Sequence, residues 1–223
     1  MLFAQKPPAL PAAVRGVMYI GDAVRNTVLI DFDGVIRHWS NIEMEEYAAT
    51  LGLVSNPLFA CAFSEKLLIP AITGKISHDE WCNNVCSDLS LVYGESTAVK
   101  LVNKWRSLNA EIDYEFLNNI RTLLSNSRVV LVTNATNRLN NDLANVGLEK
   151  AFDEIINSSE IGVAKPDFLF FQRLMKRLSV KSKQCIFIDD TNRNVEAARA
   201  MGIESLLHTS TKETLDFIKD KCT

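Results

Sequence analysis

Five short apolar runs frame this chain. They are "VLIDFDGVI" (Val28 to Ile36), "RVVLVTN" (Arg128 to Asn134), "EIIN" (Glu154 to Asn157), "CIFIDD" (Cys185 to Asp190) and "ESLLH" (Glu204 to His208). Each apolar stretch is too short for a typical helix and is bounded by polar or turn residues, as expected of strands buried on both faces. Between them lie helical patterns. Leu139, Leu143 and Val146 recur at helical spacing before Gly147, while "DFLFFQRLMKRLSV" and "NVEAARAMGI" repeat the design, the latter stopping at Gly202. "KETLDFIKDKC" closes the chain as an amphipathic helix. Strand alternating with helix calls for parallel strands joined by right-handed crossovers, so the expected class is α/β, a Rossmann-like, doubly wound parallel sheet.

The interval from about Trp39 to Asp113 breaks that rhythm. It reads as helix after helix: "IEMEEYAATLGL", "PLFACAFSEKLL", "SHDEWCNNVCSDLSLVYG" and "ESTAVKLVNKWRSL". Ser77 with Glu80 forms a capping box, and Gly52, Gly74 and Gly94 are separators. Trp81 and Trp105 fall among apolar helical positions and read as the core of this block, while His78 and His208 read as incidental. The expected division is a loose N-terminal extension over 1–25, a core made of 26–38 and 115–223, and a helical cap over 39–114 set above the carboxyl edge of the sheet.

Composition narrows the partners. Apolar residues make up 47% of the chain and charged ones 23%, yet no apolar run reaches the roughly 18 residues of a membrane span, so no membrane is expected. A net charge of −3 with both signs dispersed offers no basic stripe for nucleic acid. Five cysteines without paired CxxC clusters fit neither a zinc site nor a disulfide framework, which places the chain in a reducing cytoplasm. The prolines of "KPPALP" stand where a secretion signal would carry its apolar centre, so the first residues do not read as targeting.

In sheets of this class ligands sit outside the carboxyl ends of the strands. The first run reaches Asp31 and Asp33, the second ends in Thr133 and Asn134, and the fourth in Asp189 and Asp190, with Lys165 in "GVAKPD" after the third. Singly, each has a bland structural use as a turn or helix cap. Together, four carboxylates converging on one edge repel unless a cation sits among them, and hard oxygen ligands point to magnesium. A hydroxyl, a lysine and a flexible Gly34 add a cradle for phosphate, and one carboxylate remains as a nucleophile able to form an acyl phosphate.

"DFDGV", "VTN", "KP" and "FIDDT", in this order, resemble the four motifs of the haloacid dehalogenase-like (HAD) hydrolase superfamily, in the subfamily with a helical cap inserted after the first motif. The resemblance implies that Asp31 is the nucleophile and that Asp33 protonates the leaving alkoxide and then activates water. It also implies that Asp31, Asp190 and the Asp33 backbone carbonyl ligate magnesium, with Asp189 acting directly or through water, and that Thr133, Asn134 and Lys165 hold the phosphoryl oxygens. The expected activity is magnesium-dependent hydrolysis of a small phosphorylated metabolite by a monomer or homodimer. Halide-displacing members lack the second aspartate, so Asp33 favours phosphate esters over dehalogenation. A signalling receiver carries its acidic pair at the first strand, whereas here the pair comes fourth. A binding or regulatory protein without turnover is the remaining alternative. Nothing singles out Lys66, Lys75, Lys100 or Lys104 as the Schiff-base lysine of phosphonate-cleaving relatives. The chain departs from sugar-phosphate relatives at "DGVIRHWS", where Arg37 or His38 faces the substrate or, with Trp39 as anchor, packs the flap against the cap.

Overall fold

The computed structural model describes residues 25–124 and 127–222, so the expected loose extension lies outside the described residues apart from Arg25. Along the chain run β1 (Thr27–Ile30), β2 (Arg37–His38), α1 (Ile42–Thr50), α2 (Leu58–Ala62), α3 (Glu65–Ile72), α4 (His78–Tyr93), α5 (Glu95–Arg106) and β3 (Glu111–Ile112). Then follow α6 (Tyr114–Leu123), β4 (Arg128–Thr133), α7 (Leu139–Asn145), β5 (Glu154–Asn157), α8 (Ser158–Ile161), α9 (Phe168–Leu178), β6 (Cys185–Asp189), α10 (Asn192–Ala200), β7 (Glu204–Leu207) and α11 (Thr211–Cys222).

The main sheet has the order β5-β4-β1-β6-β7, and every pairing in it is parallel. Strand periodicity explains why its members read as unbroken apolar runs. Val28, Ile30, Val129, Leu131, Ile186 and Ile188 pack on one face against α6, α7 and α11 through Phe116, Ile120, Leu143 and Ile218. Their neighbours Leu29, Val130, Val132 and Phe187 pack on the other face against α9 and α10 through Phe170, Phe171, Leu174 and Ala198. Two covered faces leave no position for an alternating polar residue until the strand ends. The expected doubly wound architecture is present, with β1 at its centre.

The five helices between β2 and β3 share an apolar cluster of their own, including Met44, Leu58, Leu67, Trp81, Val85 and Leu101. Ser77 and Glu80 cap α4 reciprocally, as their spacing predicts. The segment read as one helix from Pro57 is two, because Ser64 takes an extended conformation (φ −60°, ψ 142°) at the N-terminus of α3. The chain enters and leaves this insert through β2 and β3, a two-residue antiparallel ribbon in which Arg37 pairs with Ile112 and His38 with Glu111. No helix among the described residues is long and apolar enough to cross a membrane.

Candidate active site

Asp31 leaves β1 while its backbone N–H still donates to the Ile188 carbonyl at 2.9 Å, so the carboxylate is delivered by the central strand itself. Its Oδ1 accepts from the Phe32 N–H at 2.8 Å and from Lys165 Nζ at 2.9 Å. Three residues later Gly34 sits at φ +79°, where a Cβ would also land on the carboxylate oxygen of Asp190. Glycine is therefore required twice, for the left-handed turn and for the approach of the β1 loop to the β6 loop.

Lys165 is buried at 4% exposure between those loops. Its Nζ donates to Asp189 at 2.6 Å and to the Val132 carbonyl at 2.9 Å, and its backbone is clamped at both ends by the Asn134 side chain at 2.8 and 2.9 Å. Both polar atoms of the Asn134 side-chain amide, expected at the phosphate, are thus engaged with the Lys165 backbone. Asp189 is fully buried, and its oxygens accept from Lys165, the Thr191 N–H and Asn194 Nδ2. Its carboxylate is engaged in positioning Lys165 and the start of α10, while Asp190 stands exposed at the cleft.

Asp31, Asp189 and Asp190 each offer an oxygen, all within 4.8 Å of one another. Three carboxylates against one ammonium leave two negative charges uncompensated in a largely desolvated place. The imbalance shifts the protonation of the cluster. Burial pushes Asp31 up to about 7 even with Lys165 pulling the other way, and Asp189 adds to the rise. Burial and then Asp189 also raise Asp190. Burial alone would lower Lys165, but Asp31 and Asp189 outweigh it and hold the ammonium above its ordinary value. An all-oxygen donor set with this excess of charge fits a hard divalent cation.

Asp33 belongs to a second network. Its oxygens accept from Arg37 at 2.7 and 2.8 Å in a bidentate pair and from Trp39 Nε1 at 2.7 Å. Arg37 also reaches Asp142 at 3.4 Å, and Asp142 pairs with Arg138 at 2.9 Å. The flap residue expected to touch substrate or to pack on the insert thus has a third use: Arg37 holds Asp33. Trp39 is 42% exposed and donates to Asp33. His38 does not line the cavity next to Asp33.

That cavity, of about 290 Å³, lies between insert and core. Asp33, Arg37, Arg138 and Asp142 form its core side, and Phe59, Phe63, Leu68, Trp81, Trp105 and Leu108 its insert side. Trp81 and Trp105 are cluster residues, as expected, and also cavity wall, meeting edge to face at 4.9 Å. None of Lys66, Lys75, Lys100 and Lys104 reaches it. His78, which reads as incidental in the sequence, is buried at the seam. Arg138 donates to its Nε2 at 2.9 Å, so the ring proton sits on Nδ1 and faces the Thr136 hydroxyl at 3.2 Å. Burial and Arg138 pull its pKa down to about 4.

The structure brings Asp31, Lys165, Asp189 and Asp190 into one cluster, with Thr133 buried at the end of β4 on the same edge and Asp33 facing the cavity beside it. Sequence reasoning missed Asn194, Asp142, Arg138 and Ser158, whose hydroxyl donates to the Ile72 carbonyl at 2.6 Å. Only the helical spacing of Arg138 and Asp142 was a signal in advance.

Residues 26–202 match the family model of the haloacid dehalogenase-like hydrolases. Bifunctional epoxide hydrolase 2 of Sus scrofa is 24% identical over 208 residues, 84% of this chain and 37% of that protein. The chain spans less than two thirds of the length of that relative and of the other leading curated relatives it matches. A HAD family enzyme of Bacteroides thetaiotaomicron, solved in complex with magnesium and inorganic phosphate, superposes with a TM-score of 0.64 at 18% identity, covering 82% of this chain and 94% of that one. The L-2-haloacid dehalogenase of Xanthobacter autotrophicus superposes with a TM-score of 0.57 at 15% identity, covering 89% and 84%. At these identities the two structures share the fold.

Proposed function

This chain belongs to the haloacid dehalogenase-like hydrolases, and on that premise we propose that it is a magnesium-dependent phosphatase cleaving a small phosphomonoester through an aspartyl-phosphate intermediate. The observation that carries this reading is the second carboxylate, Asp33, held by Arg37 and Trp39 at the cavity beside the Asp31 cluster. Displaced halide needs no proton, whereas an alkoxide leaving group needs an acid at that position.

In this reading Asp31 attacks phosphorus and the ester oxygen leaves with a proton from Asp33. Arg37 and Trp39 hold Asp33 as the anion, and it takes that proton from water as substrate binding loosens the pair. Asp33 then takes a proton from water, which attacks the acyl phosphate and regenerates Asp31. Lys165 and the Thr133 hydroxyl balance the phosphoryl oxygens, while Asn134, Asp189 and Asn194 keep Lys165 and its loop in place. Asp31, Asp190 and the Asp33 carbonyl would hold magnesium, with Asp189 beside them. When bound, the ion supplies the positive charge that the cluster lacks and draws charge from the phosphoryl oxygens. The Bacteroides thetaiotaomicron enzyme, with its magnesium and phosphate, supports this ligand pair. The division into a core of 26–38 and 115–223 and a cap of 39–114 belongs to the same proposal: the cap closes over small substrates and excludes water during attack.

The test is hydrolysis of p-nitrophenyl phosphate with magnesium, with EDTA and with the Asp31→Asn variant. Turnover that needs both magnesium and Asp31 is expected. Halide release from L-2-chloropropionate in EDTA, with no phosphate ester cleaved, would instead establish a dehalogenase.

A further inference from the structure

We infer that the phosphate ester accepted here is the monophosphate of an apolar alcohol, acyclic or aryl, of about ten carbon atoms and without a second anionic group. The inference rests on the phosphatase reading above and concerns the part of the substrate that leaves. The leaving oxygen must lie beside Asp33, which protonates it, and Asp33 is part of the cavity wall. The alcohol therefore fills the cavity.

Its size and lining define that alcohol. A volume near 290 Å³ holds about ten water-sized groups. The insert contributes Phe59, Phe63, Leu68, Trp81, Trp105 and Leu108, surfaces that gain from covering hydrocarbon. Of the polar lining, Asn134 and Thr136 are engaged by Lys165 and His78, which leaves Ser40 and Asn41 for a sugar's hydroxyls.

Charge gives an independent argument. The lining carries three arginines, Arg37, Arg106 and Arg138, against two carboxylates, Asp33 and Asp142. Arg37 pairs with both, Arg138 lies 2.9 Å from Asp142, and Arg106 reaches out of the lining to the exposed Asp79 at 2.8 Å. His78 joins the lining as a neutral ring whose Nε2 is occupied by Arg138. A second phosphate or a carboxylate on the substrate would have to compete with Asp33, Asp142 or Asp79 for these arginines, and taking Arg37 would break the pair that holds Asp33.

The experiment compares kcat/KM of the full chain with magnesium on geranyl monophosphate and 1-naphthyl phosphate against glucose 6-phosphate and 3-phosphoglycerate, with p-nitrophenyl phosphate as the reference for the chemistry. The apolar esters are expected to exceed the sugar and carboxylate esters by about a hundredfold or more. Phe63 is 53% exposed, so Phe63→Ser should fold, and it is expected to lower kcat/KM for geranyl monophosphate about tenfold, mainly through KM. Comparable or better turnover of glucose 6-phosphate or 3-phosphoglycerate, with p-nitrophenyl phosphate still cleaved, overturns the inference and leaves the phosphatase standing. Failure of every ester, the reference included, overturns the phosphatase reading and this inference with it.

Discussion

Asp31 sits under opposing influences: burial favours its protonated form, and Lys165 at 2.9 Å favours the carboxylate a nucleophile must be. The balance without a cation lies at about 7, well above the ordinary 3.8. Between those values the folded chain holds a proton that the unfolded chain has released, so this group lowers stability as pH rises and its full cost is present above about 7. Asp31→Asn removes the titration. In EDTA at pH 8 the variant should melt at a higher temperature than the parent, with the gap closing as pH falls toward 4, while phosphatase activity disappears. A parent that melts higher at pH 8 in EDTA would show that Lys165 already compensates the carboxylate. Asp31, Asp189 and Asp190 were legible because they follow apolar runs at one edge of the sheet, and Lys165 because it stands in the short "GVAKPD" segment after the third run. Asn194 and Asp142 were not, since hydrogen bonding to Asp189 and pairing with Arg37 are set by tertiary placement alone.

At the scale of elements, α4 touches the core through its first residue. The His78 backbone N–H donates to Asn137 Oδ1 at 2.8 Å, and its ring lies between Thr136 and Arg138 on one side and Trp81 and Trp105 on the other. A pKa drawn down from 6.5 to about 4 means the unfolded chain takes up the proton first on acidification. His78 thus costs stability progressively from pH 6.5 to 4. With His78→Gln the melting temperature should fall less over the same range, so the difference between parent and variant narrows toward pH 4. A difference that stays constant would remove His78 as the titrating group. The strands of this fold were legible because burial on both faces leaves unbroken apolar runs. The break between α2 and α3 was not, because apolar spacing continues across Ser64 and only its extended backbone interrupts the helix. β2 and β3 are two residues each, too short to carry any period.

Over the whole molecule, insert and core meet at few but close points. The Ser158 hydroxyl donates to the Ile72 carbonyl, and a Cβ on Gly74 would collide with the Ser159 carbonyl, so the end of α3 rests directly on α8. With the His78 seam this gives two links, one at each end of the loop between α3 and α4. The proposed cation ligands, in contrast, all come from the core, Asp31 after β1 and Asp189 and Asp190 at the end of β6, and only folding brings them together. Binding to the folded chain alone stabilises it by mass action, about 2.7 kcal/mol at a hundredfold excess over Kd, which for a chain of this size is roughly 5–10 °C in Tm. Of the three tryptophans Trp81 and Trp105 lie in the insert, whereas Trp39 donates to Asp33 of the core. In a Trp39→Phe background, tryptophan fluorescence therefore follows the insert while far-ultraviolet circular dichroism follows the whole. If the two links make one cooperative unit, magnesium should raise both transitions by the same amount, and Asp190→Ala should flatten both responses. A fluorescence transition that ignores magnesium while the dichroism transition moves would mean that insert and core unfold separately, and that closure over the site is not coupled to the cation.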